Sequence, residues 1–527
     1  MIVNLTKNNL VYNIKFQLKK NNLKIKIIIF SKISLDSFII TKYLTAVLKS
    51  EFISYELFLI NNQSEINEFC KKILKIKNDY RIFFFINFGA NVNLEKFFLT
   101  YYYAIRKIFL LDYHKWYYYK NLTSNSMLIF FDRLYLKNYF YRILDRNKVL
   151  VEKKNNFFFS NNLLSMISNL QFTIYDKIWL EIIYTSNLYI LGIITRKKYR
   201  NLIFYIGKKF DYFKKRNMEI DDAFFNKKSK LITFKKTKDL SIFLLRHSSL
   251  LDALVNTPSF SLKFRLWKHS GILKLSQFFN RLGFSFHEIK ISWVQLKPKI
   301  REYFKRHIVK HAKYFGIHVT KMNSFAKIFH SLNKYETRKF YKVSNIDFVF
   351  IAKSMFNILL NKKINLLKKS YWKIYDGISD LKTIKNNIRI AKKSQNFVNK
   401  MGRIIISKKT YINEVFFRYS FLQNLSNINL THSTLQNLSF YLMLAFYQKF
   451  QQKKAFFIVM QLKNQSIVTG SFFNNEECKK IKEKLIFDKN IVIENGNYNN
   501  SKTLTLILNQ GKEADLFKNI ITFLKYQ

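Results

Sequence analysis

The sequence predicts an α/β protein with a parallel-sheet N-terminal domain, a helical insertion and a smaller C-terminal α/β domain. Three observations carry that reading. Short β-rich runs alternate with helical patterns as far as Leu111, the order that a parallel sheet covered by helices requires. The middle of the chain then shows a 3.6-residue apolar period with caps and stops. Strand-like runs return after Met401. At 527 residues with 48% hydrophobic content, the chain has core material for two or three domains.

The early strands are expected at Leu23–Phe30, Tyr55–Ile60, Arg81–Ile86 and Lys107–Leu111. Between them, Ser37–Leu48 places Phe38, Tyr43, Leu44, Val47 and Leu48 on one broad helical face. Glu65–Ile76 repeats the arrangement with Ile66, Phe69, Ile73 and Ile76. Three of the strands run into polar residues at their C-terminal ends, where open α/β sheets build their sites. Ser34 and Asp36 follow the first, Asn87 the third, and Asp112 and His114 the fourth. Asp36, Asn87, Asp112 and His114 are thus placed to converge on one crevice.

From Lys120 to Asn162 the pattern is neither cleanly alternating nor cleanly helical, and it reads as a linker or insertion. Apolar helix returns over Leu163–Thr195. Its run Ile178–Thr195 carries Glu181, Asn187 and several hydroxyls, so it reads as a buried helix rather than a membrane span. Further on, Ile272, Leu275, Phe279 and Leu282 share a stripe that Gly283 can end, and Ser285 with Glu288 has capping-box spacing for the next helix. Pro298 interrupts, and Ile300, Phe304, Ile308 and Phe315 mark a helix that Gly316 can end. After Met401, strands are expected at Arg403–Ser407, Ala455–Leu462 and Thr503–Leu508, with helices at Glu476–Ile486 and Glu513–Leu524. The division expected is residues 1–240, with the linker at about 120–162, then 241–400 and 401–527.

Lys and Arg number 91 against 33 Asp and Glu, a formal charge of +58, while the chain has 2 Pro and 11 Gly. Abundant Lys, Asn, Ile, Phe and Tyr with scarce Pro and Gly is what an AT-rich genome encodes, so the charge by itself carries little functional information. It still attracts polyanions, with an affinity that falls steeply as salt rises. Cys70 and Cys478 are the two cysteines, which excludes a disulfide framework and a zinc cluster and suits a reducing compartment. The N-terminus has no apolar run followed by a small-residue cleavage site, so no secretory signal is expected, and a transit peptide stays open. Neither GxxxxGK[ST] nor GxGxxG occurs, which argues against a nucleotide-driven motor, and no cofactor is expected.

Several side chains invite a sharper reading that their surroundings oppose. His307 and His311 have the spacing of two metal ligands on a helix, but Lys305, Arg306, Lys310 and Lys313 would repel a cation. His247 and Ser249 suggest a base and a nucleophile, yet near neighbours on a helix do not face each other. Trp267, Trp293 and Trp372 could stack on bases, but aromatics make up 17% of the chain and core packing is the simpler role.

The most informative stretch is Leu244–Lys290, LLRHSSLLDALVNTPSFSLKFRLWKHSGILKLSQFFNRLGFSFHEIK. Its order of residue types, carried by His247, Asp252, Asn256, Lys263, Phe264, Trp267, Gly271 and Gly283 among others, resembles the cell division control protein 45 family. The resemblance extends to Ile86–Leu94, to Tyr175–Tyr189 and to SNIDFVF within Ser344–Met355. It implies a structural role for these signature residues, with Trp267 as an anchor. It also implies a DHH-like, RecJ-like N-terminal domain, a helical insertion and a DHH-associated-type C-terminal domain.

In the related phosphoesterases, strand-end aspartates and a DHH triplet hold manganese ions. Two-metal hydrolysis needs several carboxylates together, to offset the charge of the ions while leaving room for water and phosphate. Here the corresponding positions carry Ser34 and Asp36, then Asn87, then Asp112-Tyr113-His114. These five residues, Ser34, Asp36, Asn87, Asp112 and His114, read as the remnant of a metal site, and no metal and no catalysis are expected. The resemblance further implies a nuclear scaffold that joins the MCM helicase ring to the GINS complex, with single-stranded DNA as a further partner and no membrane. An active manganese-dependent exonuclease and a charge-driven single-strand binder are the alternatives. The family's long acidic insertion is replaced here by the short, basic Lys120–Asn162, which suggests a compacted genome such as that of a reduced endosymbiont nucleus.

Overall fold

The protein is described by a computed structural model covering residues 2–4, 25–50, 52–60, 80–89, 94, 105–111, 127–131, 174–190, 195–220, 232–332, 338–360, 364–377, 380–422, 432–461, 465–474, 477–478, 481, 491–492, 503–509, 511 and 513–525. It forms two compact units. The first comprises Met1–Phe225 with Lys362–Gly377, and the second comprises Asn226–Asn361 with Ile378–Gln527.

The first unit is built on six parallel strands, β1 (Ile2–Asn4), β2 (Ile25–Lys32), β3 (Tyr55–Ile60), β4 (Tyr80–Ile86), β5 (Ile105–Leu111) and β6 (Met127–Phe131). Their order across the sheet is β1-β6-β5-β4-β2-β3. Residues 27–30, 82–86 and 108–111 are all buried, as expected of central parallel strands covered on both faces. The strand order reverses between β2 and β4: β3 lies on one side of β2, and β4, β5 and β6 extend on the other. That reversal opens the crevice at the carboxyl ends where α/β sheets bind ligands.

Helices Leu35–Ser50, Ile174–Ile190, Arg196–Ile220 and Ile364–Gly377 belong to this unit. The last is held by Tyr371, whose ring meets Phe38 edge-on at 5.7 Å, and by Lys42, whose Nζ donates to the Tyr375 carbonyl at 3.0 Å. Two strands differ from expectation: β6 lies inside the stretch read as a linker, and β1 was not foreseen. β6 is the five-residue MLIFF, too short to show alternation, and pairing with β5 and β1 supplies what its own pattern lacks. The helix expected at Glu65–Ile76 lies outside the described residues.

The second unit opens with an antiparallel sheet of β7 (Ile232–Leu240), β8 (Lys321–Leu332) and β9 (Arg338–Ser344), in that order. Between β7 and β8 run the helices Leu250–Asn256, Pro258–Lys263, His269–Arg281, Phe286–Lys290 and Pro298–Tyr314. They close around Leu254, Phe260, Phe264, Phe278, Phe304 and Ile308. Gly283, at φ +73°, ends one helix, and Ser285 and Glu288 form a capping box that starts the next. Gly316 follows the last helix at φ +69°. The expected stripe is shifted, because Ile272 is 53% exposed while Phe278 takes the buried position beside Leu275, Phe279 and Leu282.

Two further expectations are corrected. The stretch read as a helical insertion contains β8 and β9, in which buried polar residues such as Ser324, Lys327 and Ser344 hide the alternation. Arg403–Ser407, read as a strand from its isoleucine run, is the last part of the helix Leu381–Ser407. Ile384, Ile388, Ala391, Val398, Gly402 and Ile405 recur on the buried face of that helix, so tertiary packing overrides the local β-propensity.

The chain closes with a mixed sheet of β10 (Ile412–Asn413), β11 (Phe417–Leu422), β12 (Ala455–Gln461), β13 (Gln465–Ser471), β14 (Ile491–Val492) and β15 (Thr503–Asn509), ordered β10-β11-β12-β13-β15-β14. Successive residues of β12 serve opposite faces. Phe456 and Ile458 pack with Leu438 and Leu442 of the helix His432–Phe450, while Phe457 and Val459 pack with Leu516 and Ile520 of the helix Glu513–Lys525. Among the described residues, no helix is long and apolar enough to cross a membrane.

Candidate functional site

The crevice at the strand reversal is floored by the ends of β2 and β4 and by the first turn of the helix Leu35–Ser50. Ser34 precedes that helix, and its Oγ lies 2.7 Å from Ser37 Oγ and accepts from the Ser37 amide at 3.2 Å. Asp36 lies in the first turn, where a carboxylate suits the helix dipole, and is 1% exposed. Asn187, from the helix Ile174–Ile190, donates to its Oδ1 at 2.6 Å. Tyr184, one turn before Asn187, has its phenol pushed well up by burial, with the Asp36 charge adding to the effect.

Asn87 follows β4 with φ +53°, a left-handed conformation that Asn tolerates better than most residues. Its amide N–H donates to the Leu111 carbonyl at 2.9 Å, and its Nδ2 donates to Ser37 Oγ at 3.0 Å. The turn thereby ties β4 to both β5 and the helix over β2. Structure and sequence agree in bringing Ser34, Asp36 and Asn87 together. Asp112 and His114 lie outside the described residues.

A pair of divalent ions needs several negative ligands. The described part of this crevice supplies one carboxylate, Asp36, and two buried neutral amide oxygens without a protein partner, Asn87 Oδ1 and Asn187 Oδ1. Among the described residues, no group of three His, Cys, Asp or Glu is arranged to hold a metal. The residues described do not fit a two-ion centre. What they form is a set of hydrogen bonds that locks two strand ends to two helices.

The signature residues occupy a different place, in the second unit. Asp252 is exposed on the helix capped by Ser249, whose Oγ accepts from the Asp252 amide at 3.1 Å. Asn256 is buried, and its Oδ1 accepts from Asn399 Nδ2 at 2.8 Å. Phe264 packs edge-on against Phe315 at 5.7 Å, and Lys263 lies exposed with its ammonium end against Gly316. Trp267 is half-buried against the core around Leu438 and Leu442, which also takes Leu262. Gly271 admits no side chain, because a Cβ there would stand 2.4 Å from the carbonyl oxygens of Phe264 and Arg265. Gly283 supplies the positive φ already described.

His247 leads to a cluster that sequence reasoning missed. Its Nδ1 lies 3.1 Å from the Tyr341 hydroxyl, its Nε2 faces Asp347 Oδ2 at 3.7 Å, and its carbonyl accepts from Lys392 Nζ. This arrangement suits a neutral ring with the proton on Nε2. Burial, then the Arg246 and Lys392 charges, push the imidazole down to about 3. Burial raises Asp347, opposed by Arg246 and by hydrogen bonds from Ser344, and the Tyr341 phenol is pushed up to about 12 by burial and by Asp347. Arg246 pairs with Asp239, which also accepts from Ser324. One sequence signal was available: Ser344 and Asp347 have capping-box spacing, and the Asp347 amide donates to Ser344 Oγ at 3.2 Å.

The remaining candidates take packing positions. Trp293 is buried against Phe304, and Trp372 meets Tyr375 edge-on at 5.0 Å. His307 stacks on Tyr303 at 4.3 Å, with His311 at 6.5 Å between ring centres and no third ligand among the described residues.

A protein-family model described as CDC45 matches residues 27–156 and 158–482, which takes in both the crevice and the signature. The chain belongs to the CDC45 family. The cell division control protein 45 homolog of Dictyostelium discoideum is 22% identical over 242 residues, which is 44% of this chain and 36% of that relative's length. The crystal structure of CDC45 from Entamoeba histolytica aligns over 99% of both chains with a TM-score of 0.68 at 16% identity, a likeness of fold. The exonuclease RecJ bound to manganese aligns over 94% of this chain and 89% of its own, at 8% identity and a TM-score of 0.41. Membership of the CDC45 family supports a replication-related role.

Proposed function

We propose that this chain is a non-catalytic scaffold of the eukaryotic replicative helicase, bridging the MCM ring and the GINS complex in the nucleus. The observation that carries the non-catalytic part is the state of the crevice: Asp36 is buried and hydrogen-bonded to Asn187, and Asn87 stands where a hydrolase of this fold would use an acid. A buried carboxylate already committed to a helix–helix contact is a positioning element. The bridging part rests on family membership. A chain that binds both partners raises the effective concentration of each for the other, so coupling needs no chemistry. The functional division into residues 1–240, 241–400 and 401–527, and the structural role of the signature residues, belong to the same proposal.

Two measurements test it. The chain should co-purify with MCM and GINS subunits from its own cells at moderate salt, and failure to do so removes the bridging role. The purified chain should release no nucleotides from single-stranded DNA in manganese. Release that is lost in Asp36→Ala or Asp112→Ala would replace the scaffold with an exonuclease.

A further inference from the structure

Four cations from four segments of the second unit gather beside the pair formed by Arg246 and Asp239. In the sheet of β7, β8 and β9, Lys235 lies opposite Ala326 and Lys342 lies opposite Ile328, two residues along β8. Alternate residues of a strand share a face, so both lysines project from the face that also carries Thr237, Asp239 and Ser324. Lys305 comes from the helix Pro298–Tyr314, with its Nζ 5.7 Å from the ring centre of the buried Trp293. Burial lowers Lys305, helped by the charges of Arg246 and Arg301 and opposed by Glu302. Lys342 is pushed down to about 8 by burial and then by Arg246, Lys305 and Lys235. The four cations therefore lie within electrostatic reach of one another. The Arg246 side chain is 11% exposed, Lys305 and Lys342 are half-buried, and Lys235 stands at the open rim.

The carboxylates nearby are already committed. Asp239 accepts from Arg246, Ser324 and Thr237, while Asp347 accepts from Ser344 and faces His247. Among the described residues, no carboxylate forms an ion pair with Lys235, Lys305 or Lys342. Like charges held together and partly out of water disfavour one another, and an anion placed among them removes that cost. We propose that this recess binds a phosphate dianion. A tetrahedral phosphate presents oxygens in several directions, so ammonium and guanidinium groups arriving from different segments can all donate to it at once. A carboxylate offers two oxygens and one charge, and a metal cation is repelled. A nucleic-acid strand is met by cations that track its backbone along a groove, whereas these close on one point and two of them are half-buried. The shared chemistry is the dianion, whether a free ion or the head of a phosphomonoester.

The test is equilibrium dialysis of the whole chain against radiolabelled inorganic phosphate, in sodium chloride at fixed ionic strength. Wild-type protein should take up one phosphate per chain with a Kd below about 1 mM. Lys305→Gln/Lys342→Gln should weaken binding by about tenfold or more. Lys235→Gln, at the exposed rim where the fold is not at stake, should weaken it by about threefold. Lys310→Gln/Lys313→Gln removes two exposed charges from the same helix and should leave binding within about twofold. Without phosphate, the Lys305→Gln/Lys342→Gln protein should unfold at a temperature no lower than wild type, because it has lost a repulsion. Displacement of the label by phosphoserine more strongly than by unlabelled phosphate identifies an esterified group as the ligand; the reverse order identifies the free ion. Absence of uptake by wild-type protein would overturn the proposal. So would equal losses in the Lys305/Lys342 and Lys310/Lys313 variants, since diffuse charge would then do the work. None of these results bears on co-purification with MCM and GINS, so the two proposals fail separately.

Discussion

His247 Nε2 faces Asp347 Oδ2 at 3.7 Å, with both side chains buried beside Arg246, Tyr341 and Lys392. The histidine is held near 3, whereas in the unfolded chain it titrates near 6.5. Below that ordinary value the unfolded state binds more protons than the folded one. The contribution of His247 to stability is therefore complete above about pH 6.5 and is lost as pH falls from there toward about 3. Urea midpoints should drop between about pH 7 and about pH 5, and His247→Gln should flatten that drop. His311 is shifted in the same direction, by burial first and then by His307, Lys310 and Arg281, so His311→Ala is the matched comparison. A His247→Gln profile as steep as that of wild type would show that the ring is not buried neutral.

Gly271 and Gly283 should respond differently to the same added methyl. At Gly271 the Cβ meets two backbone carbonyls that cannot swing aside, so Gly271→Ala should cost about 1–3 kcal/mol or more. At Gly283 nothing lies within 4 Å and only the positive φ opposes the change, so Gly283→Ala should cost about 1 kcal/mol. Urea denaturation of the two variants measures the difference.

Asn256 and Asn399 form a buried amide pair in which Asn399 Nδ2 also donates to the Val255 carbonyl at 3.2 Å, so removing Asn399 takes away two hydrogen bonds and removing Asn256 takes away one. Asn256→Ala and Asn399→Ala should each cost about 1–3 kcal/mol, and the double variant should cost clearly less than their sum. Additive losses in a double-mutant cycle would mean that the hydrogen bond contributes nothing.

Asp36→Asn tests the crevice as a structural element. The substitution keeps the shape and removes the charge that Asn187 and the helix dipole stabilise, so thermal unfolding should register a loss of about 1–2 kcal/mol. Co-purification with partners at a temperature where the variant stays folded should be unchanged.

How much was legible in the sequence follows from which interactions are local. Gly283, Gly316, Pro298 and the Ser285–Glu288 box act within one or two turns, and each appears in the structure where its spacing placed it. β2 to β5 were legible because residues 27–30, 57–60, 82–86 and 108–111 are continuous apolar runs, as strands covered by helices require. β8 and β9 were not, since buried polar residues such as Ser324, Lys327 and Ser344 obscure the alternation. The isoleucines of Arg403–Ser407 carried the wrong local signal for a helix fixed by its neighbours.

For the candidate site, the strand-end residues Ser34, Asp36 and Asn87 were found because a parallel sheet dictates where its crevice opens. Asn187 was missed as the partner of Asp36, and so were Tyr341, Asp347 and Lys392 as partners of His247, because nothing in their spacing announces a contact formed across the fold. The chain by itself determined the α/β class, the helix ends and the shortage of acids at the strand ends, all properties of neighbouring residues. Only tertiary structure decided the strand order that reverses beside β2 and the company that His247 keeps, because burial and pairing between distant segments exist once the chain has closed on itself.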